Sequence, residues 1–270
     1  METRALPHIR LIATDFDGTL FGMDETPADL LAFRELLKRA RNEWGACWTI
    51  VTGRSRGPAE SALRRLLLLG LRPDYIVLED ARIYRLAGGG RLWPFWWWNF
   101  QVTRRRRALF RRSRVQVRAW RQEVIDRCPD ALDLSRPGIH LWFRCAETEK
   151  AVAVEAFLRE RAAASGKFFV FRWDDEVALF PTAGSKGEAL QKLAAVLGIH
   201  TADTFAVGDG PNDVSMLDGT AAGLTACVSN AVPAVRDAVR AANGQLATRP
   251  GIKGVIEVLT PFLDTPTTAD

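Results

Sequence analysis

The first and last thirds of the chain alternate short apolar runs with segments in which apolar residues recur every three or four positions. Short apolar runs between turn residues are typical of buried strands, and the second spacing is typical of amphipathic helices. The predicted strands are 9–13, 46–51, 75–78 and 204–207, with a last strand and its loop over 223–230. The predicted helices are 27–37, 58–69, 188–197, 232–241 and 254–259. This alternation predicts an α/β fold, a Rossmann-like parallel sheet with helices on both faces.

The middle of the chain has a different pattern. Residues 83–85 and 92–94 flank a glycine-rich turn, as in a hairpin. A long helix is predicted over 104–128, and the later elements are strand 139–144, helix 147–164, and strands 168–171 and 177–180. This order predicts an inserted α+β domain with an antiparallel sheet. We therefore assign residues 1–82 and 181–270 to the core and residues 83–180 to the inserted domain.

Residues 93–100 are rich in Trp and Phe, and residues 104–121 are rich in Arg. Aromatic residues beside arginines occur in nucleic-acid-binding proteins. However, Trp and Phe usually pack in cores, and an arginine-lined helix face is usually just solvated. We therefore disfavour nucleic-acid binding and expect the positive charge to attract a small anionic substrate. For the aromatic residues, a place in the core of the inserted domain is favoured; a substrate platform and a subunit contact are the alternatives.

Composition limits the class of protein. The chain has 270 residues, 47% of them apolar and 26% charged, as expected of a globular protein with a sizeable core. No apolar run approaches the roughly 18 residues of a membrane span, and residues 1–4 do not resemble a signal peptide, so no membrane partner is expected. The four cysteines are far apart, which favours a reducing cytoplasm over a disulfide framework or zinc site. The net charge is +5, and residues 84–180 alone carry 19 Lys and Arg against 11 Asp and Glu.

Two carboxylates follow the first predicted strand. Asp15 and Asp17 are two residues apart, and such side chains point to the same side of a strand. Gly18 then allows a sharp turn. The pair is predicted at the carboxyl end of a strand, where open α/β sheets place their functional residues. On its own, the Asp-x-Asp-Gly pattern is equally consistent with a polar turn.

Three later segments place polar groups at similar positions. Thr52 and Gly53 lie between a strand and a helix, which suits an anion, although a plain turn is the ordinary alternative. Lys186 lies near a helix start, where a surface lysine is the ordinary alternative. Asp209 and Asp213 lie in a Gly-Asp-Gly-Pro-Asn-Asp loop that can direct both carboxylates toward a hard cation. The segment around Lys186 lacks the spacing of a P-loop, and the Gly-Asp-Gly-Pro-Asn-Asp loop lacks the spacing of a dinucleotide-binding motif.

Together the segments 15–19 (Asp-Phe-Asp-Gly-Thr), 52–54 (Thr-Gly-Arg), 185–187 (Ser-Lys-Gly) and 208–213 resemble, in order, the four motifs of the haloacid dehalogenase (HAD) superfamily. Each motif is weak alone, but four in order are specific. The second aspartate of the first motif resembles the phosphatase branch, because dehalogenases lack it. The position of the inserted domain resembles the large cap of sucrose-phosphate phosphatases, mannosyl-phosphoglycerate phosphatases and Cof-type hydrolases.

The resemblance implies roles for the matched carboxylates. Asp15 is the implied nucleophile that forms an aspartyl-phosphate, and Asp17 is the implied general acid and base. The implied cofactor is Mg²⁺, with Asp15, the backbone carbonyl of Asp17, and Asp209 as ligands and Asp213 as support.

Phosphate binding is implied for a second set of residues. Lys186 supplies a fixed positive charge, and Thr52 with the N–H of Gly53 holds phosphoryl oxygens. Asn212 contacts the phosphate or orients its neighbours. The candidate substrate contacts are Arg54, His140 and Asn230.

The implied activity is hydrolysis of a small phosphate monoester, and a sugar phosphate is favoured because tryptophan faces suit sugar rings. One departure weakens an assignment to sucrose phosphate: Ala178 stands three positions before Pro181, where several sugar-phosphatase relatives have an acidic residue. One alternative is a phosphomutase or phosphotransferase of the same superfamily. The other is a non-enzymatic anion- or RNA-binding protein on a HAD scaffold.

Overall fold

The computed structural model describes residues 8–136 and 140–264. They form two compact units: a core unit that ends at Phe95 and resumes at Ser185, and an inserted unit over Trp96–Gly184. Two predictions lie outside the described residues, namely the absence of a signal peptide at 1–4 and the start of a strand at Ile139.

Strands and helices alternate in the first and last parts of the chain, and the middle part departs from this alternation. The strands are β1 (Leu11–Thr14), β2 (Cys47–Val51), β3 (Tyr75–Leu78), β4 (Arg82–Leu86), β5 (Leu92–Pro94), β6 (Leu132–Asp133), β7 (Leu141–Arg144), β8 (Phe168–Trp173), β9 (Glu176–Pro181), β10 (Thr204–Gly208), β11 (Leu224–Cys227) and β12 (Gln245–Leu246). The α-helices are α1 (Pro27–Trp44), α2 (Arg56–Leu68), α3 (Trp96–Arg112), α4 (Arg114–Arg127), α5 (Thr148–Ser165), α6 (Lys186–Leu197), α7 (Val214–Leu217), α8 (Pro233–Ala241) and α9 (Gly251–Asp264). Within the described ranges, no helix combines the length and the apolar character needed to cross a bilayer.

The core unit is built on an eight-stranded sheet in the order β12-β11-β10-β1-β2-β3-β4-β5. The strands from β12 to β3 pair in parallel, and β4 and β5 add to the edge in antiparallel orientation. All of β1 is buried, as expected where helices cover both faces of a parallel sheet. Phe33 of α1 and Val255 of α9 belong to the same apolar cluster as Ile12 and Phe205 of the sheet. The predicted α/β architecture is confirmed.

The hairpin predicted around the glycine-rich turn is confirmed, because β4 pairs with β5. Its predicted place in the inserted domain is wrong, because β4 also pairs with β3 of the core sheet. The turn between β3 and β4 contains Glu79 and Asp80, with φ values of 51° and 62°. Hairpin turns with positive φ usually contain Gly, often preceded by Asn or Asp. The Glu-Asp pair contains no glycine, so the sequence does not indicate that β4 turns back onto β3. The predicted domain boundary at residue 83 therefore lies before β4, whereas the core unit extends to Phe95.

The inserted unit contains a four-stranded antiparallel sheet in the order β6-β7-β9-β8. Its core joins α4 and α5 to the sheet through side chains such as Trp120, Leu158, Phe143 and Val177. This confirms the predicted α+β insertion.

The helix predicted over 104–128 is instead two helices, α3 and α4, which are separated at Ser113. Ser113 has φ −97° and ψ 12°, outside the ideal helical range. Serine is a weaker helix former than the arginines around it. The break lets Val117, Trp120 and Val124 face the core of the inserted unit.

The core position favoured for the aromatic residues of 93–100 is wrong for four of the six. In α3 the buried positions are Asn99, Val102 and Phe110, so neighbouring positions project to the opposite side of the helix. The exposed fractions are 52% for Trp93, 77% for Trp96, 70% for Trp97 and 56% for Phe100. These rings are on the surface of the units to which they belong.

The first turn of helix α1 is closed by a capping box. The Asp29 N–H donates to Thr26 Oγ1 at 3.2 Å, and the Thr26 N–H donates to Asp29 Oδ2 at 2.9 Å. Thr26→Ala is expected to lower the free energy of unfolding by about 1 kcal/mol, measured by urea denaturation. Ser55→Ala is the matched control, because Ser55 occupies the same position before α2 without a side-chain capping bond. Equal losses in the two variants would contradict the capping argument.

Candidate active site

Three predicted motifs follow neighbouring strands of the core sheet. Asp15 follows β1, Thr52 follows β2 and Asp209 follows β10. The sheet order places β1 between β10 and β2, and the three strands are parallel. Their carboxyl ends therefore meet at one edge of the sheet, and the structure brings these side chains together there.

Lys186 lies between two carboxylates. Its Nζ donates hydrogen bonds to Asp15 Oδ1 at 2.5 Å and to Asp213 Oδ1. The side chain is only 1% exposed. It begins α6, where Ser185 Oγ accepts a hydrogen bond from the Glu188 N–H at 3.2 Å. Lys186 is therefore a fixed, buried positive charge and not a surface lysine.

Asp213 organises the loop after β10. Its Oδ2 accepts hydrogen bonds from the N–H groups of Asp209 at 2.9 Å and Gly210 at 2.8 Å. Because Oδ1 contacts Lys186, both carboxylate oxygens of Asp213 are engaged. Asp209 Oδ1 accepts a hydrogen bond from the Thr19 hydroxyl at 2.6 Å, a contact that the sequence analysis did not predict.

The carboxylate cluster has the composition of a site for a hard cation. Asp15, Asp209 and Asp213 each offer an oxygen that lies within 4.8 Å of the other two. Across residues 8–136 and 140–264, no hydrogen bond occupies Asp15 Oδ2 or Asp209 Oδ2. Carboxylate oxygens are the ligands that Mg²⁺ prefers in proteins. The donor set therefore fits a divalent cation held by Asp15 and Asp209, with Asp213 shaping the loop.

The electrostatics of the cluster also favour an added cation. Burial, and then the negative charge of Asp213, raise the pKa of Asp15 well above its ordinary value. The same two causes raise the pKa of Asp209 to about 6. Burial alone would lower the pKa of Lys186, but the charges of Asp15 and Asp213 outweigh it and raise that pKa. A divalent cation would favour the ionised carboxylates by reducing their mutual repulsion.

The turn after Asp17 is held in place from two directions. Gly18 has φ +81°, and a Cβ at this position would overlap the Asp209 carboxylate, so only glycine fits. Asn230 Nδ2 donates to the Gly18 carbonyl at 2.9 Å, and Asn230 Oδ1 accepts from the Gly251 N–H at 3.0 Å. The predicted substrate contact Asn230 thus uses both ends of its amide to position backbone.

Arg54 pairs with the predicted general acid. Its Nε donates to Asp17 Oδ2 at 2.8 Å and its Nη2 to Asp17 Oδ1 at 2.5 Å. The guanidinium also lies 4.8 Å from the centre of the Phe16 ring. Thr52 is buried, and its Oγ1 accepts a hydrogen bond from the Arg54 N–H at 3.1 Å. The two-pronged contact orients Asp17, which is a role that the sequence analysis did not assign to Arg54.

Asp80 is a residue that the sequence analysis missed. It follows β3, is 6% exposed and has a positive φ. Its Oδ1 accepts a hydrogen bond from Asn212 Nδ2 at 2.9 Å, and its N–H donates to the Thr52 carbonyl at 3.1 Å. Its carboxylate also borders Gly53, where an added Cβ would lie 3.4 Å from Asp80 Oδ1. The available signal is its position two residues after a strand that neighbours β2.

His140 belongs to the inserted unit. Its ring centre lies 5.4 Å from that of Trp142 and 5.5 Å from that of Phe180. Burial, and then the charge of Arg136, lower its pKa below the ordinary value. Within that unit, the predicted substrate contact His140 is one of a group of packed aromatic rings.

Comparisons with known proteins confirm the resemblance that the motifs carry. The model of the haloacid dehalogenase-like hydrolase family matches residues 132–256. A segment of 61 residues is 39% identical to the 5-amino-6-(5-phospho-D-ribitylamino)uracil phosphatase YwtE of Bacillus subtilis, covering 23% of this chain and 21% of that protein. A longer segment of 134 residues is 29% identical to the HMP-PP phosphatase of Yersinia pseudotuberculosis, covering 50% of this chain and 47% of that protein. The chain thus spans less than half the length of both relatives.

Solved structures show the same fold over nearly the whole chain. The sucrose-phosphatase of Synechocystis sp. PCC6803 matches with a TM-score of 0.66 and 20% identity, covering 94% of this chain and 97% of that one. A HAD/COF-like hydrolase from Plasmodium vivax matches with a TM-score of 0.66 and 15% identity, covering 96% and 97%. At these identities the likeness establishes the fold and leaves the substrate open.

Proposed function

We propose that this chain, which matches haloacid dehalogenase-like hydrolases in sequence and fold, is a Mg²⁺-dependent phosphomonoester hydrolase. The observation that carries the proposal is the buried Asp15–Lys186–Asp213 arrangement beside Asp209, at the carboxyl ends of β1 and β10. A carboxylate that attacks a phosphate ester approaches another anion, so the site must supply positive charge. A fixed ammonium and carboxylate oxygens left open for a cation meet that need.

Asp15 is the proposed nucleophile. Its carboxylate attacks phosphorus while the bond to the leaving oxygen breaks, which gives an aspartyl-phosphate. Asp17, oriented by Arg54, protonates the leaving oxygen and later accepts a proton from the water that hydrolyses the intermediate. Asp15, the Asp17 carbonyl and Asp209 would hold Mg²⁺, which would supply positive charge to the phosphoryl oxygens.

The remaining core residues are proposed to hold the phosphate. Lys186 offers positive charge, and Thr52 and the Gly53 N–H lie after β2, at the same edge of the sheet as Asp15. The amide of Asn212 is held by Asp80, which supports an orienting role for Asn212.

We propose a small phosphorylated metabolite as the substrate, and a sugar phosphate within that class. The names of the matched uracil phosphatase, HMP-PP phosphatase and sucrose-phosphatase support the small-molecule class. A cytoplasmic location is proposed with it, and the four free cysteines support a reducing compartment.

The test is phosphate release from a panel of sugar phosphates, phosphoglycolate-like acids, nucleotides and pyridoxal phosphate. Turnover of at least one ester is expected with Mg²⁺, is expected to stop when a chelator is added, and should return when Mg²⁺ is restored. Free phosphate as the product supports hydrolysis, whereas a new phosphate ester supports transfer to a second substrate. Absence of turnover across the panel, with the protein folded and Mg²⁺ shown to bind, would contradict the proposal for these esters.

A further inference from the structure

The outward face of α3 presents aromatic and basic side chains in a single row. Trp96, Phe100, Arg104, Arg107 and Arg111 recur every three or four residues, which places them on one side of the helix. All five are exposed, Trp96 by 77% and Phe100 by 56%. These five residues, together with their exposed neighbour Trp97, form the α3 stripe.

The α3 stripe lies in a basic stretch of the chain. Residues 96–122 contain nine arginines and no aspartate or glutamate. Among the residues that the structure describes, no acidic side chain pairs with Arg104, Arg107 or Arg111. An open cleft of about 1170 Å³ along the same helix is lined by five arginines and Lys167 and by no acidic residue. A partner that binds this face would therefore have to carry negative charge.

The exposed rings distinguish between kinds of anionic partner. Exposed apolar side chains that lie next to one another often mark an interaction site. Trp97 and Phe100 stack on each other, with centres 5.9 Å apart and planes at 26°. Trp98 is covered by the guanidinium of Arg105, 5.2 Å from the ring centre. Binding of single-stranded RNA uses ring faces that are open to bases, so rings that already stack favour a continuous apolar partner.

A second copy of the chain does not satisfy these requirements. A two-fold dimer through the α3 stripe would place the same patch of each copy against the other. Arginines would then face arginines, and like charges across an interface oppose association.

We propose that the α3 stripe binds the surface of a lipid bilayer that contains anionic phospholipids. Tryptophan and phenylalanine favour the headgroup region, where an apolar ring and a polar edge are both accommodated. The arginines would contact lipid phosphates, and cytoplasmic leaflets carry a negative surface charge. The helix would lie on the membrane without crossing it. This departs from the expectation of no membrane partner, which considered only spanning segments.

The test is sedimentation of the full chain with vesicles of phosphatidylcholine alone or with about 30% phosphatidylserine. Binding is expected only to the anionic vesicles and is expected to weaken as salt is added. Each arginine lost from the stripe should weaken binding about fivefold, so Arg104→Gln/Arg107→Gln/Arg111→Gln should weaken it by about 100-fold. The matched control Arg10→Gln/Arg64→Gln/Arg65→Gln removes the same charge from exposed positions of the core unit and should keep most of the binding.

Trp96→Ala/Phe100→Ala tests the apolar half of the stripe and should also weaken binding, with the arginines intact. Circular dichroism and phosphate release check that every variant is folded. Absence of binding to anionic vesicles at low salt would overturn the proposal, as would equal losses in the stripe and control variants or full binding by the aromatic variant. Tighter binding of single-stranded RNA than of vesicles, lost in the stripe variant, would overturn it in favour of a nucleic-acid partner.

Discussion

Replacing Asp15 with Asn is expected to lower kcat/KM for the best phosphate ester by about 10³-fold or more. Asparagine has nearly the same shape as aspartate, but its amide lacks the anionic oxygen that attacks phosphorus. The substitution also removes one of the two carboxylates, those of Asp15 and Asp209, that have an oxygen open to a cation. The measurement is initial-rate phosphate release at saturating Mg²⁺, compared with the unaltered protein.

Two controls separate loss of chemistry from loss of fold. Asp24→Asn makes the same chemical change at an exposed position, where φ is 39° and asparagine is tolerated. It should leave the rate unchanged. The second control is the melting temperature without metal, which should be no lower for Asp15→Asn than for the unaltered protein. Folding raises the pKa of Asp15, so at a pH above the ordinary aspartate pKa its negative charge lowers the free energy of unfolding. Removing that charge should therefore not destabilise the protein.

The Mg²⁺ response completes this test. A ligand that binds only the folded state raises the melting temperature, and it does so less when a binding group is missing. Mg²⁺ should therefore raise the melting temperature of Asp15→Asn less than that of the unaltered protein. An active Asp15→Asn variant would contradict the assignment of the nucleophile. A variant that melts far below the unaltered protein without metal would show that misfolding, and not lost chemistry, explains the loss.

The α/β core could be predicted because its central strands are buried on both faces. Such strands have nearly continuous apolar sequences. Strands such as Leu11–Thr14 and Thr204–Gly208 need no knowledge of their partners to be recognised. The pairing of β4 with β3 could not be predicted in this way. It depends on the positive φ of Glu79 and Asp80, and this pair lacks the glycine that usually accompanies Asp in such a turn.

Residues of the site could be predicted where position along the chain determines position in the sheet. Asp15, Thr52 and Asp209 each follow a parallel strand, so their convergence follows from the topology. The contact between Asp80 and Asn212 could not be predicted, because it joins residues 132 positions apart through side-chain conformation. The same limit applies to Asn230, which contacts backbone that lies far from it in sequence.

The exposure of the aromatic residues in 93–100 shows a limit of reasoning from residue type. Tryptophan is usually packed, so residue type alone favours a core position. The direction of each ring depends on the phase of α3, which Val102 and Phe110 fix by facing inward. That phase depends on where the helix begins and ends, at Trp96 and before Ser113, and the apolar pattern of the sequence does not mark these ends.

Replacing Lys186 with Met is expected to lower the free energy of unfolding by about 3–5 kcal/mol at neutral pH without metal. Methionine fills similar space, so the loss arises because Asp15 and Asp213 remain buried without their shared ammonium partner. Urea denaturation in the presence of a chelator gives the measurement. Lys192→Met is the matched control, because Lys192 is an exposed lysine of the same helix α6. It should change stability by less than about 0.5 kcal/mol.

The dependence of this deficit on pH and Mg²⁺ distinguishes lost ion pairing from lost packing. The pKa of Lys186 is raised on folding, so its stabilising contribution is complete below the ordinary lysine pKa and is fully present at neutral pH. Lowering the pH from about 7.5 to about 5 protonates carboxylates whose pKa values are raised, and this removes the repulsion that Lys186→Met leaves uncompensated. The deficit should therefore shrink on acidification, and Mg²⁺ should reduce it because the added cation replaces part of the lost charge. A deficit that is constant across these conditions would indicate packing alone and would contradict the role of Lys186 as the fixed charge of the site.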